Sequence, residues 1–179
     1  MAEKKKSSRK EYLDLFIKQE DGSYVYTGPR YVPLNTEWKR VSRMLYLYLA
    51  AAAVCLIVAG MVPSRGMIGA WYVILPYAAS VVMLIVLVIR MIRVTTDKGT
   101  IHSYTSDRTV AWFSADAVII MILNAVSMAG EVIASFGGEA LIQWQIVALI
   151  VHAAAMFFLY QFRMISGSVQ WQEEGTKAE

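Results

Sequence analysis

The chain has 179 residues, of which 57% are hydrophobic and only 17% charged; with a mean hydropathy of +0.46 it lies well outside the ordinary soluble range. Its formal charge of +3 comes from basic residues set beside apolar blocks, the pattern of membrane topology, so nucleic acid is not an expected partner. The single cysteine, Cys55, sits inside an apolar block, which excludes an internal disulfide, a C-x-x-C redox pair and a cysteine-rich metal centre.

Residues 1–42 read as a basic N-terminal segment on the cytoplasmic side. The run Lys4-Lys5-Lys6 with Arg9 and Lys10 is a solvated tail or a contact to anionic lipid. More than thirty polar or mixed residues separate it from the first apolar block, which is not the pattern of a cleavable signal peptide. Two β-prone runs then flank Asp21-Gly22, a strong short-range hairpin signal. The expected pairing sets Ile17 opposite Tyr26, with the hairpin resting on the loop after the second span or on a partner, because an isolated hairpin is marginal in water. A competing reading makes residues 9–19 an amphipathic interfacial helix carrying Tyr12, Leu13, Phe16 and Ile17; the hairpin is preferred. Gly28-Pro29 and Pro33 predict an extended linker, and Asn35 or Thr36 can cap the helix that follows.

Four apolar blocks form a transmembrane domain over residues 43–165, with spans at 44–62, 68–89, 110–133 and 140–162. Each matches the roughly 20 helical residues needed to cross a hydrocarbon core about 30 Å thick. Pro76 should kink the second span or lie near its start. Residues 166–179 read as a cytoplasmic tail. The fold class is therefore an all-α, four-helix membrane bundle.

Orientation follows from lysine and arginine, which are retained on the cytoplasmic side. Sixteen of the 17 fall before the first span, between the second and third, or after the fourth; Arg65 alone falls on the other side. Both ends are thus expected in the cytoplasm of a multi-pass cell-membrane protein. Interfacial aromatics agree, with Trp38, Tyr46, Trp112, Phe158, Tyr160 and Phe162 inside and Trp71, Tyr72 and Trp144 outside.

Intramembrane ionisable residues are costly and tend to face the bundle interior. Relative to Asp116, the residues Asn124, Ser127 and Glu131 project at about 80°, 20° and 60° on a helix, so the four share one face. On the fourth span Gln145 and His152 project about 20° apart. If Gly137-Gly138 turns tightly, the third and fourth spans are antiparallel neighbours and His152 falls between the depths of Asn124 and Asp116. A polar seam of Glu131, Asn124, His152 and Asp116 is then expected, with Glu131 at the outer interface. Two uses compete: packing between helices or subunits, and binding or relay of a proton, cation or small solute, with Asp116 as the charge and His152 as the titrating group.

Signals for enzyme chemistry are weak. No H-E-x-x-H spacing, Gly-rich phosphate loop or G-x-S-x-G frames the available histidines and serines, including Ser80, Ser114 and Ser127. His102 lies in a polar loop and reads as solvated. His152 alone is thin evidence for a haem, and no cofactor or metal is expected. Alanine patches at 50–53 and 153–155 suit close helix packing. The sequence thus points first to a non-enzymatic subunit or accessory component of a membrane complex, transport-related, whose partners are the bilayer and another membrane subunit or further copies of itself. A small self-assembling channel or transporter built on the Asp116 and His152 seam ranks second. A membrane-embedded enzyme acting on a lipid-soluble substrate ranks third.

Overall fold

A computed structural model describes residues 16–18, 22, 24–28, 30–33, 38–96, 101–102, 111–136 and 142–173. The expected caps Asn35 and Thr36, the Gly137-Gly138 turn, Glu139 and residues 1–15 lie outside them. In chain order the elements are strands β1 (Phe16–Lys18), β2 (Tyr24–Tyr26) and β3 (Arg30–Pro33), helix α1 (Trp38–Met61), a short helix α2 (Arg65–Gly69), α3 (Trp71–Thr96), strand β4 (Ile101–His102), α4 (Ala111–Ser135), α5 (Ile142–Ser168) and β5 (Trp171–Glu173).

Four helices, α1, α3, α4 and α5, are long and apolar enough to cross a membrane. Each buries one stripe at spacings of three, four or seven, the signature of a helix with a single inward face. On α1 it is Val41, Leu45, Leu49, Ala52, Leu56 and Ala59; on α3, Val73, Ser80, Leu84, Leu87, Met91 and Val94. The opposite faces present Leu47, Val54, Ile57, Val82, Ile85, Ile122, Val126, Ile146 and Ile150 to the surroundings. A water-soluble bundle would place charge there; only lipid suits such a surface.

Around the bundle α3 packs on α4, α4 on α5 and α5 on α1, while α1 and α3 meet lightly. Tyrosines bridge that lighter side: Tyr77 donates to the Leu56 carbonyl at 2.8 Å, and the Tyr46 hydroxyl lies 2.6 Å from that of Thr95. Gly60 is what lets Tyr77 in, since a Cβ there would overlap the phenol oxygen.

The second block is interrupted where the hydropathy profile is continuous. Helix α1 stops at Met61 ahead of Pro63, whose ring disfavours helical backbone in the residue before it. Ser64 caps α2 by accepting from the Met67 N–H at 3.3 Å. Ala70 is extended, at φ −102° and ψ 101°, so Ile68 belongs to α2 and the spanning helix begins at Trp71. Pro76 is accommodated as the sixth residue of α3. Helices α1, α3 and α5 extend past the expected spans by several residues at the opposite end of the bundle.

At that opposite end lie two small sheets. β1 pairs antiparallel with β2, Phe16 facing Tyr26 and Ile17 facing Val25, a register one residue from the Ile17–Tyr26 pairing expected from sequence. Gly22, between them, has φ +83°, a left-handed conformation natural to glycine. β3 is central in a second sheet, antiparallel to β4 on one side and to β5 on the other. Thus the linker strand β3 meets the described part of the loop after the second span, and the C-terminal segment joins as a strand instead of trailing. His102, expected as a plain loop residue, pairs through its backbone with Arg30. Trp171 of β5 stacks edge-on against Trp38 at 5.1 Å and packs on the core. The N-terminal linker, the middle loop and the C-terminal segment therefore share one end of the bundle, called here the sheet end; α2 marks the other.

Candidate functional site

The interior divides along the bundle axis. Its sheet-end half is apolar, with Leu45, Leu49, Leu87, Met91, Phe113, Ile120, Ala155, Leu159 and Phe162 in one cluster. The half toward α2 holds Ser64, Asn124, Ser127, Glu131, Gln145 and His152, all buried. Asp116 is buried too, but within the sheet-end half, between Phe113 and Ala117 along α4. On α4 the four polar residues Asp116, Asn124, Ser127 and Glu131 all lie on the inward stripe.

Nearest α2, Glu131 is fully buried within the protein, near the end of α4. Ser64 donates its hydroxyl proton to Glu131 Oε1 at 2.6 Å, and the Gln145 amide donates to Oε2 and, at 2.5 Å, to the Glu131 carbonyl. Ser64 thus joins α2 to α4 through the same oxygen that caps α2. Gly66 makes this contact possible, because a Cβ there would stand 2.6 Å from the carboxylate carbon and from Oε2. One level deeper, Ser127 donates to the Val73 carbonyl of α3 at 3.1 Å.

At mid-depth Asn124 and His152 form a reciprocal pair between α4 and α5. The Asn124 amide nitrogen donates to the His152 carbonyl at 3.0 Å, and its Oδ1 lies 2.6 Å from the ring Nδ1. With the amide fixed that way round, Oδ1 can only accept, so Nδ1 carries a ring proton. Nε2 is buried and has no hydrogen-bond partner among the described residues. The Tyr77 ring stands perpendicular to the imidazole at 6.2 Å. His152 is therefore level with Asn124, not between it and Asp116.

Asp116 is held elsewhere. Arg90 of α3 donates from Nη1 to Asp116 Oδ2 at 2.5 Å and lies 5.9 Å over the Trp112 ring. Ala117 and Ile120 on α4, with Ala155 and Leu159 on α5, separate this ion pair from Asn124 and His152. The rise from Asp116 to Asn124 is about 12 Å. The expected continuous seam is thus three separate contacts: Ser64–Glu131–Gln145, Asn124–His152 and Arg90–Asp116.

Sequence reasoning missed Ser64, Tyr77 and Arg90. An arginine just past the end of one apolar block and an aspartate a few residues inside the next are a pairing signal. Ser64, directly after a proline and three residues before Met67, had the position of a helix cap. Nothing local marked Tyr77. Among the described residues no three His, Cys, Asp or Glu side chains converge as metal ligands would. Comparison of the chain with protein-family models, curated proteins and solved structures finds no match.

Proposed function

We propose that the chain is a non-enzymatic subunit or accessory component of a membrane complex, transport-related, lying in the cell membrane with the sheet end and both termini in the cytoplasm. The observation that carries this reading is how the buried polar groups are used. Glu131, Gln145, Ser127, Asn124 and Asp116 each bond to a neighbouring helix of the same chain. Polar residues spent this way act as joints between helices, and the apolar layer around Ile120 and Leu159 interrupts any polar route along the bundle. Recognition of a partner is then assigned to the extramembrane end, where an N-terminal hairpin formed by β1 and β2 presents exposed Ile17 and Tyr24. Two short strands are marginal alone, and a partner surface supplies the missing burial.

The test is purification of the full chain from its native membrane in mild detergent. A stoichiometric membrane partner, weakened by deleting residues 12–27, supports the proposal. A homogeneous homo-oligomer without a partner would count against it.

One observation favours the second reading, a small self-assembling channel or transporter: the unpartnered Nε2 of His152 at mid-depth. Proteoliposomes of the purified chain discriminate. The subunit reading predicts no proton or cation flux above that of empty vesicles; flux abolished by His152→Gln or Asp116→Asn, with folding intact, would establish the transporter instead.

A further inference from the structure

At the α2 end an open cavity of about 340 Å³ is lined by Arg65, Gly69, Ala70, Tyr72, Ile133 and Ala134, at the lower end of the size range of small-molecule sites, about 300–1,000 Å³. Its depth in the bilayer follows from helix length. Helix α3 has 26 residues and α4 has 25, so each is close to 40 Å long against a hydrocarbon core of about 30 Å. Tyr72 is the second residue of α3, and Ile133 and Ala134 are in the last turn of α4. The cavity therefore opens at headgroup depth.

Its chemistry is one-sided. Arg65 is exposed, and among the described residues no carboxylate lies within ion-pairing distance of it. Among the described residues, the remaining lining is backbone, aromatic and aliphatic and holds no carboxylate. Ile68, Trp71 and Phe136, neighbours in sequence of the lining residues, are strongly exposed, as is Ile133 of the lining, an apolar surround suited to acyl chains. A cation above an apolar floor, opening where lipid phosphates lie, has one complementary occupant.

We infer that this cavity binds the phosphate of a net-anionic phospholipid, with the Arg65 guanidinium on the phosphate oxygens and the acyl chains along the rim. A guanidinium suits this task because it presents paired donors in a plane that matches two phosphate oxygens. A zwitterionic lipid brings the same phosphate but also an ammonium group, for which the described lining offers no counter-charge, so the site should favour a net-anionic lipid. The inference requires only that the chain spans the bilayer, and stands whichever functional reading holds.

The test is native mass spectrometry of the full chain released from micelles containing phosphatidylglycerol, phosphatidylcholine or both. Wild type should retain phosphatidylglycerol in preference to phosphatidylcholine, and Arg65→Gln should lose one retained lipid and weaken the preference about fivefold. Because the other basic residues are unchanged in that variant, the difference reports this cavity. Gly69→Leu is the second variant. It keeps Arg65 but adds bulk to the cavity lining at a position where an added Cβ meets nothing within 4 Å, and it should lose the same lipid. Retention of the wild-type phosphatidylglycerol count by both variants would overturn the inference. So would an Arg65-dependent thermal shift with millimolar inorganic phosphate as large as that with the lipid, since the site would then take free phosphate and not a headgroup.

Discussion

Replacing Asn124 with leucine removes two interhelical hydrogen bonds at once, one to the His152 carbonyl at 3.0 Å and one from the ring Nδ1 at 2.6 Å. Such bonds average about 0.6 kcal/mol in membrane bundles and reach about 1.7. Leucine nearly matches asparagine in volume, so no large cavity adds to the loss. It does strand a buried imidazole N–H, at about 1–3 kcal/mol. The expected destabilisation is about 2–3 kcal/mol. His152→Leu leaves the Asn124 bond to the backbone carbonyl in place and should cost less, about 1 kcal/mol. The double variant strands nothing that the first single variant does, so it should be milder than the two losses added, with a coupling of about 1–2 kcal/mol. Reversible unfolding of the four proteins in mixed micelles, followed by far-ultraviolet circular dichroism, measures the cycle. Losses that add to within about 0.3 kcal/mol would refute the pairing.

Other substitutions probe the remaining joints. Gly66→Ala drives a methyl to 2.6 Å from the Glu131 carboxylate and should destabilise by about 1–3 kcal/mol, whereas Gly69→Ala on the same short helix meets open space and should be neutral or mildly stabilising; equal effects in a thermal melt would contradict the contact. Arg90→Met leaves the Asp116 carboxylate buried without its cation. The loss should be about 1–3 kcal/mol, below the ~3–5 of a fully buried pair because Arg90 is partly exposed, and Asp116→Leu in the same protein should restore part of it. Substituting proline for Val32, in the central strand β3, should expose the Trp38 and Trp171 contact, read as a red shift and increased quenching of tryptophan fluorescence.

The apolar blocks of the sequence contain the bundle, because runs of some 20 mostly apolar residues make helices long and apolar enough to span. The inward placement of Asp116, Asn124, Ser127 and Glu131 was legible for a similar reason: four polar residues at compatible projections on one helix must share a face. What each meets on that face was not legible. Periodicity fixes the direction of Glu131, yet Ser64 lies 67 positions away, and only the packed fold shows that α2 folds back over it. The Arg90–Asp116 pair was not legible either, since projection along one helix says nothing about its neighbour. The break at Ala70 escaped notice because hydropathy ignores backbone direction. The sheet of β3, β4 and β5 escaped for a third reason. Its strands are two to four residues long and come from three distant parts of the chain, so no local pattern announces them.

The account depends most on the chain crossing the bilayer with α2 outside and the sheets inside. On a Cys55→Ala background, single cysteines at Gly69 and Gly167 test this, because both glycines lie at opposite ends of the bundle with open space around a new Cβ. In intact cells a membrane-impermeant maleimide should label Gly69→Cys at once and Gly167→Cys only after permeabilisation. Labelling of both positions from the same side, or of Gly167→Cys alone in intact cells, would contradict it.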